Sequence, residues 1–194
     1  MLAVAILAAG ESQRMGHPKA LLPYRGTTFV DHLISVTRHS RVGVTRIVLG
    51  AGAEEIRRRL SVDPAWIVVN PDWPKGQLSS LQAAVRSIAS VPTEGLILCP
   101  VDHPLVSAHL VALLIEKFDS TGKQIVLPVH NGRRGHPLIF RASLYEELLA
   151  ASDEVGARQV VWAHADSIAE LPTEEEGVLL NLNDPEALKK AIGD

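Results

Sequence analysis

The chain has 194 residues, 46% of them apolar and 21% charged, close to the average for globular proteins and enough to bury a substantial core. These proportions exclude a disordered chain, a collagen-like fibre and a coiled coil; the single cysteine, Cys99, excludes a disulfide framework and any cysteine-cluster zinc or iron–sulfur centre. With 19 Lys and Arg against 22 Asp and Glu, the net charge of −3 offers no basic excess to a nucleic acid, so no nucleic-acid partner is expected.

In chain order, the first run, Met1 to Ala9, is almost wholly apolar. No basic residue precedes it and it stops at Gly10, so it reads as a strand buried on both faces rather than a signal peptide. No run approaches the roughly 20 residues needed to cross a bilayer, and the expectation is a cytoplasmic protein with no membrane partner. Short apolar runs predict strands over 2–8, 45–50, 66–69, 95–99, 124–129, 137–140, 167–170 and 178–181. Amphipathic stretches predict helices over 29–39, 53–60, 78–90, 108–117, 142–150, 157–163 and 184–191. Continuous apolar strands separated by helix-length segments predict a parallel sheet, and right-handed crossovers make it a doubly wound, three-layer α/β sheet. The stretch 126–140, with the turn His130-Asn131-Gly132, predicts a small antiparallel insertion. Nothing resembling a linker or repeat divides the chain, so residues 1–194 are read as a single domain. Glu174, Glu175 and Glu176 are read as a solvated loop before the last strand.

Ligands of open parallel sheets sit beyond the carboxyl ends of the strands. There the first strand runs into Leu7-Ala8-Ala9-Gly10 and on to Ser12, Arg14, Gly16, Pro18 and Lys19. Small residues let backbone N–H groups approach a ligand; Arg14 offers a planar fork to phosphate oxygens and Lys19 a compact point charge. The loop is therefore a phosphate cradle with two cations. It is not a Walker loop, because five residues separate Gly10 from Gly16 and Ala20 follows Lys19. Gly50-Ala51-Gly52 lacks the third glycine of a dinucleotide fingerprint, and is read as closing a strand and starting a helix. No His-Glu-x-x-His or Gly-x-Ser-x-Gly is present; His103 and His109 are read as structural, and Cys99 as core.

The stretch Leu7-Ala8-Ala9-Gly10-x-Ser12-x-Arg14-Met15-Gly16-x-Pro18-Lys19-x-Leu21-Leu22 resembles the signature loop of the molybdenum cofactor nucleotidyltransferases, most closely their cytidylyltransferase branch. Asn70-Pro71-Asp72-Trp73 with Gly76-Gln77-Leu78-Ser79-Ser80-Leu81, Asp102 after the fourth strand, and Gly135-His136-Pro137 extend the resemblance over essentially the whole chain. It implies a Rossmann-like nucleotidyltransferase fold, mostly parallel with a small antiparallel part. It further implies transfer of CMP from CTP to the terminal phosphate of molybdopterin, with pyrophosphate released.

By the same resemblance, Arg14, Lys19 and Asp102 are the catalytic set. Leu7, Ala8, Ala9, Gly10, Ser12, Arg14, Lys19, Gly76, Ser79, Ser80 and Pro100 hold the nucleotide. Asp102 and Asn183 bind Mg²⁺, with Mn²⁺ as the alternative ion, and His136 and Arg158 (in Gly156-Ala157-Arg158) face the acceptor. Each reading has a structural counterpart. Ser79 or Ser80 can cap a helix, Asp184 can cap the last helix before Pro185, and Arg133 and Arg134 fit either a phosphate or a solvated hairpin. Asn181 and Asn183 stand where the cytidylyltransferases carry acids, which keeps GTP open as the nucleotide. A sugar or polyol phosphate as acceptor, and a non-catalytic carrier of the cofactor, stay open as well. The recipient of the product would be a molybdenum hydroxylase or its chaperone.

Overall fold

The computed structural model describes residues 1–12, 16–183, 186, 188 and 189. Its strands are β1 (Leu2–Ala8), β2 (Pro23–Tyr24), β3 (Thr27–Thr28), β4 (Val42–Leu49), β5 (Ile67–Val69), β6 (Gly95–Pro100), β7 (Ile125–His130), β8 (Arg133–Arg134), β9 (Leu138–Arg141) and β10 (Ile168–Pro172). Its helices are α1 (Phe29–Val36), α2 (Ala53–Arg59), α3 (Gln77–Ser87), α4 (Ala108–Thr121), α5 (Tyr145–Ala150) and α6 (Arg158–Ala163).

All seven residues of β1 are buried, because this strand lies inside the sheet and is covered on both faces. Side chains alternate across it. Leu2, Val4, Ile6 and Ala8 join one apolar cluster with Phe29 and Leu33 of α1, Ile56 of α2 and Leu114 and Phe118 of α4. Ala3, Ala5 and Leu7 join the other, with Leu81 and Val85 of α3, Leu148 of α5 and Val160 of α6. The result is a three-layer sandwich, α1, α2 and α4 on one face and α3, α5 and α6 on the other.

The main sheet has the order β10-β7-β9-β6-β1-β4-β5, with β8 attached to β7. β1 pairs in parallel with both β4 and β6, β4 with β5, and β7 with β10. β9 runs antiparallel to β6 and β7, and β8 antiparallel to β7. The expected antiparallel insertion is thus present. Its tight turn has Asn131 at φ 49° and Gly132 at φ 72°, the left-handed pair that a two-residue hairpin loop requires. A second small hairpin, β2–β3, is an addition to the sequence reading.

Boundaries shift where side chains intervene. The first helix ends at Val36 rather than residue 39, and the Thr37 hydroxyl donates to the carbonyls of Leu33 and Ile34. α4 runs on to Thr121 and stops at Gly122, which is left-handed at φ 63°. The predicted strand over 178–181 does not form. Glu176–Val178 is a 3-10 turn, and the backbone beyond it is spent elsewhere: Val178 O accepts from His136 N at 2.9 Å, and Leu182 N donates to Asp102 O at 2.8 Å. Nor is the acidic run merely solvated, since Glu175 bonds to Ser107 through both carboxylate oxygens. The predicted helix over 184–191 falls largely outside the described residues. Among the described residues, no helix is long and apolar enough to cross a membrane.

Candidate active site

From β1 the chain crosses to β4 on one side and later returns to β6 on the other, which makes the carboxyl end of β1 a topological switch point. A pocket of about 410 Å³ opens there. Leu7, Ala8, Ala9 and Gly10 form its floor, and Ser12 and Pro100 also line it. A side chain at Gly10 would meet nothing within 4 Å, so the floor is open above it. Gly50 is the opposite case: a Cβ there would lie 2.6 Å from both Ala9 O and Trp73 Cβ. Its missing side chain lets Trp73 close against the end of β1 and become a wall.

The pocket has two chemically different ends. Above β4 and β5, Trp73, Gly76 and Ser80 present aromatic and neutral polar surface. Above β6 and the entry to β9 stand Lys19, Asp102, His103 and His136. Lys19 is placed by a 3-10 turn, Lys19–Leu21, and its backbone N–H donates to the Ser12 hydroxyl at 3.1 Å, which fixes the loop back onto the end of β1. Ser12 itself is left-handed at φ 55°. The Lys19 ammonium donates to Asn183 Oδ1 and lies 3.9 Å from Asp102 Oδ2. Asp102 belongs to the turn that follows β6, where Val101 N donates to Leu7 O, tying this turn to β1, and His103 N donates to Pro100 O, closing it on the end of β6.

Beside this carboxylate the His103 and His136 rings lie against each other, centroids 4.7 Å apart and planes tilted by 40°, and His103 Nε2 is 4.0 Å from Asp102 Oδ1. Burial pushes the His136 pKa down to about 4, with the neighbouring His103 lowering it further. Burial lowers His103 too, and Lys19 opposes its protonation while Asp102 favours it. Both rings are therefore neutral at neutral pH, and the charge at this end is carried by Lys19 and Asp102. Reading His103 as structural misses its place in the wall; the available signal is its position directly after Asp102 in the same post-strand turn. Trp73 likewise stands in the sequence only as one letter of a motif, with nothing local to mark it as a wall.

Most of the predicted set comes together here: Leu7, Ala8, Ala9, Gly10, Ser12, Lys19, Gly76, Ser80, Pro100, Asp102 and His136 all line the pocket. Asn183 reaches it through Lys19, and Asn181 lines it directly. Two residues do not arrive. Ser79 turns its hydroxyl to the carbonyls of Asp72 and Gly76, both at 2.9 Å, closing the first turn of α3. Arg158 is exposed at the start of α6 and is absent from the pocket wall, because Val160, two residues on, is the side chain that α6 sends to the core. Arg133 and Arg134 lie exposed on the hairpin, where Arg134 pairs with Glu170 at 2.8 Å. Cys99 is core, its thiol pushed up to about 12 by burial. Arg14 lies outside the described residues.

Residues 4–168 match the MobA-like NTP transferase domain. The chain belongs to this family. Relatives of this MobA-like chain carry different names. It is 35% identical over 163 residues to the nicotine blue oxidoreductase of Paenarthrobacter nicotinovorans, covering 79% of this chain and 78% of that protein. It is 27% identical over 184 residues to the molybdenum cofactor cytidylyltransferase of Escherichia coli K12, covering 93% and 90%. A molybdenum cofactor guanylyltransferase from Cereibacter sphaeroides is 30% identical over 196 aligned positions, covering 96% and 93%. Among solved structures, Rv0371c from Mycobacterium tuberculosis H37Rv superimposes with a TM-score of 0.83 at 25% identity, over 100% of this chain and 97% of that one.

Proposed function

We propose that this MobA-like protein acts in molybdenum cofactor metabolism, transferring CMP from CTP to the terminal phosphate of molybdopterin and releasing pyrophosphate. The observation that carries the reading is the two-ended pocket at the switch point: a neutral, aromatic end that suits a nucleoside, and a Lys19–Asp102 end that suits a metal-bound triphosphate. The names of its relatives support the cofactor, and they divide between cytidylyl and guanylyl transfer. CTP is preferred here on the resemblance of the loop Leu7 to Leu22 to that of the cytidylyltransferases, in which Ala8 and Ala9 line the floor.

In this reading the acceptor phosphate attacks the α-phosphorus in line, a new P–O bond forms, and the α–β bridging bond breaks as pyrophosphate leaves. The acceptor is already an anion near neutral pH, so no residue need act as a general base. Charge gathers on the bridging and leaving oxygens, and the Lys19 ammonium, held at the end of β1, neutralises it; Arg14 of the same loop is assigned the same task. His136 and His103 face the acceptor. Asp102 and Asn183 supply one carboxylate and one amide oxygen around Lys19. Among the described residues no cluster of three His, Cys, Asp or Glu offers more. Such a sparse, hard-oxygen set fits Mg²⁺, or Mn²⁺ in its place, which takes few protein ligands and completes its shell with phosphates and water. When bound there, the ion would add positive charge against the triphosphate. The dinucleotide product would pass to a molybdenum hydroxylase or its chaperone.

A second reading follows from the relative named an oxidoreductase: the same pocket would hold a nicotinamide dinucleotide instead. The test separates them. Purified protein is given Mg²⁺, molybdopterin and CTP, GTP, ATP or UTP singly, and pyrophosphate is measured; NADH and NADPH oxidation is followed in parallel. Release with CTP alone supports the proposal, and release with GTP alone keeps the chemistry but overturns the base. Silence with all four, beside intact acceptor, overturns the transferase reading in favour of a carrier, another acceptor or, if nicotinamide is oxidised, a reductase.

A further inference from the structure

Asn70 follows β5 and is 3% exposed, a polar side chain enclosed at the neutral end of the pocket. Its Oδ1 accepts from Asp72 N at 3.0 Å, which settles which end of the amide is which. Its Nδ2 then donates to both seryl oxygens at the start of α3, Ser79 Oγ at 2.9 Å and Ser80 Oγ at 3.1 Å. Both hydroxyls are thereby acceptors toward Asn70, and each must send its single proton elsewhere. Ser79 sends its proton to the carbonyls of Asp72 and Gly76. Ser80 is also 3% exposed and lines the pocket, and its proton meets no acceptor among the described residues.

The proton of a buried hydroxyl in this position is best met by an acceptor, and the pocket is where one can come from. We propose that Asn70 is a positioning residue that fixes the Ser80 hydroxyl as a donor toward an acceptor atom of the bound nucleoside. This rests on the nucleotide reading of the pocket given above. Ser79 and Ser80, adjacent and chemically identical, are divided by it: one closes the helix, the other faces the ligand, and a single amide sets the polarity of both.

Calorimetric titration with CTP and with GTP, each with Mg²⁺, tests this on four proteins: wild type, Ser80→Ala, Asn70→Asp and the double variant. Asn70→Asp keeps an acceptor for Asp72 N and loses the donor, so Ser80 donates to the new carboxylate rather than into the pocket. Ser80→Ala and Asn70→Asp should each weaken binding of the better nucleotide roughly five- to tenfold, as expected for one neutral hydrogen bond. The double variant should be no weaker than the single ones, because both remove the same bond. Losses that multiply, or a Ser80→Ala protein that binds as wild type does, overturn the proposal. Thermal melts accompany each variant; if Asn70→Asp does not fold, Asn70→Ala, which buries no charge, replaces it in the same cycle. A wild type that binds neither nucleotide overturns the nucleotide reading itself, whereas wild-type binding with an additive cycle overturns only the role of Asn70.

Discussion

The Lys19 ammonium sits between Asn183 Oδ1 and the Asp102 carboxylate, with 14% of its side chain exposed. A cation in that position has modest structural value, because its partners remain partly solvated. Its value in the proposed reaction is larger, since it meets charge that exists only as pyrophosphate departs. Lys19→Ala should therefore lower kcat roughly 10²- to 10³-fold while the melting temperature stays within a few degrees of wild type. Near wild-type turnover would remove Lys19 from the mechanism. His136 makes the opposite kind of prediction. Its folded pKa of about 4, depressed by burial and then by His103, lies below its unfolded value near 6.5. The unfolded chain therefore binds the extra proton between those values, and the stability contributed by the neutral ring is complete above pH 6.5 and lost as pH falls toward 4. By linkage that amounts to about 3 kcal/mol. Urea unfolding between pH 4 and 8 should show this fall, and His136→Phe should make it shallower; an unchanged slope would place the titrating group elsewhere.

Among the elements, close approach of backbones shapes the pocket. Gly50 directly follows β4, where Trp73 must reach the chain just beyond β1, and a methyl group there would collide with Ala9 O and with Trp73. The colliding atoms include backbone, so they have little room to give. Gly50→Ala should destabilise the protein by about 1–3 kcal/mol. It should also weaken nucleotide binding through displacement of Trp73. Equal unfolding free energies for variant and wild type would show that the wall is slack. The same residue marks a limit of what is legible in sequence. Gly50 and Gly52 read as a strand end and a helix start, and Gly52 does cap α2. The reason Gly50 must be glycine lies 23 positions away at Trp73, and no local pattern displays it.

Over the full chain, the segment after β10 works as a strap. Glu175 accepts from Ser107 Oγ at 2.5 Å and Ser107 N at 3.1 Å, placing an anion at the amino end of α4. Gly177 lies against Leu105, where a Cβ would come within 2.0 Å of its carbonyl oxygen, and Val178 O accepts from His136 N. Leu182 N then donates to Asp102 O, and Asn183 meets Lys19. The strap thus connects α4 to the turn before β9, which carries His136, and to the turn after β6, which carries Asp102 and His103, at the charged end of the pocket. Glu175→Ala should raise hydrogen exchange over 173–183 and lower turnover several-fold, with exchange in β1 and β6 unchanged. Protection of the strap identical to wild type would show that its other contacts suffice.

The order of residues along the chain is enough to specify the parallel centre of the sheet and the loop that brings Lys19 to the pocket. Continuous apolar runs such as 2–8 and 95–99 are buried as central parallel strands, and small residues, Ser12 and Lys19 follow the first of them at its carboxyl end. Three-dimensional packing settles the rest. Ser79 and Ser80 are indistinguishable as letters, and the orientation of one buried amide separates them. Arg158 has the right chemistry for an acceptor, but the phase of α6 commits Val160 to the core and leaves Arg158 outside. The stretch 178–181 has the composition of a strand, yet the N–H groups of Val178, Leu179 and Leu180 bond back within the 3-10 turn and Val178 O accepts from His136 N, so the donors and acceptors that a sheet would use are already taken.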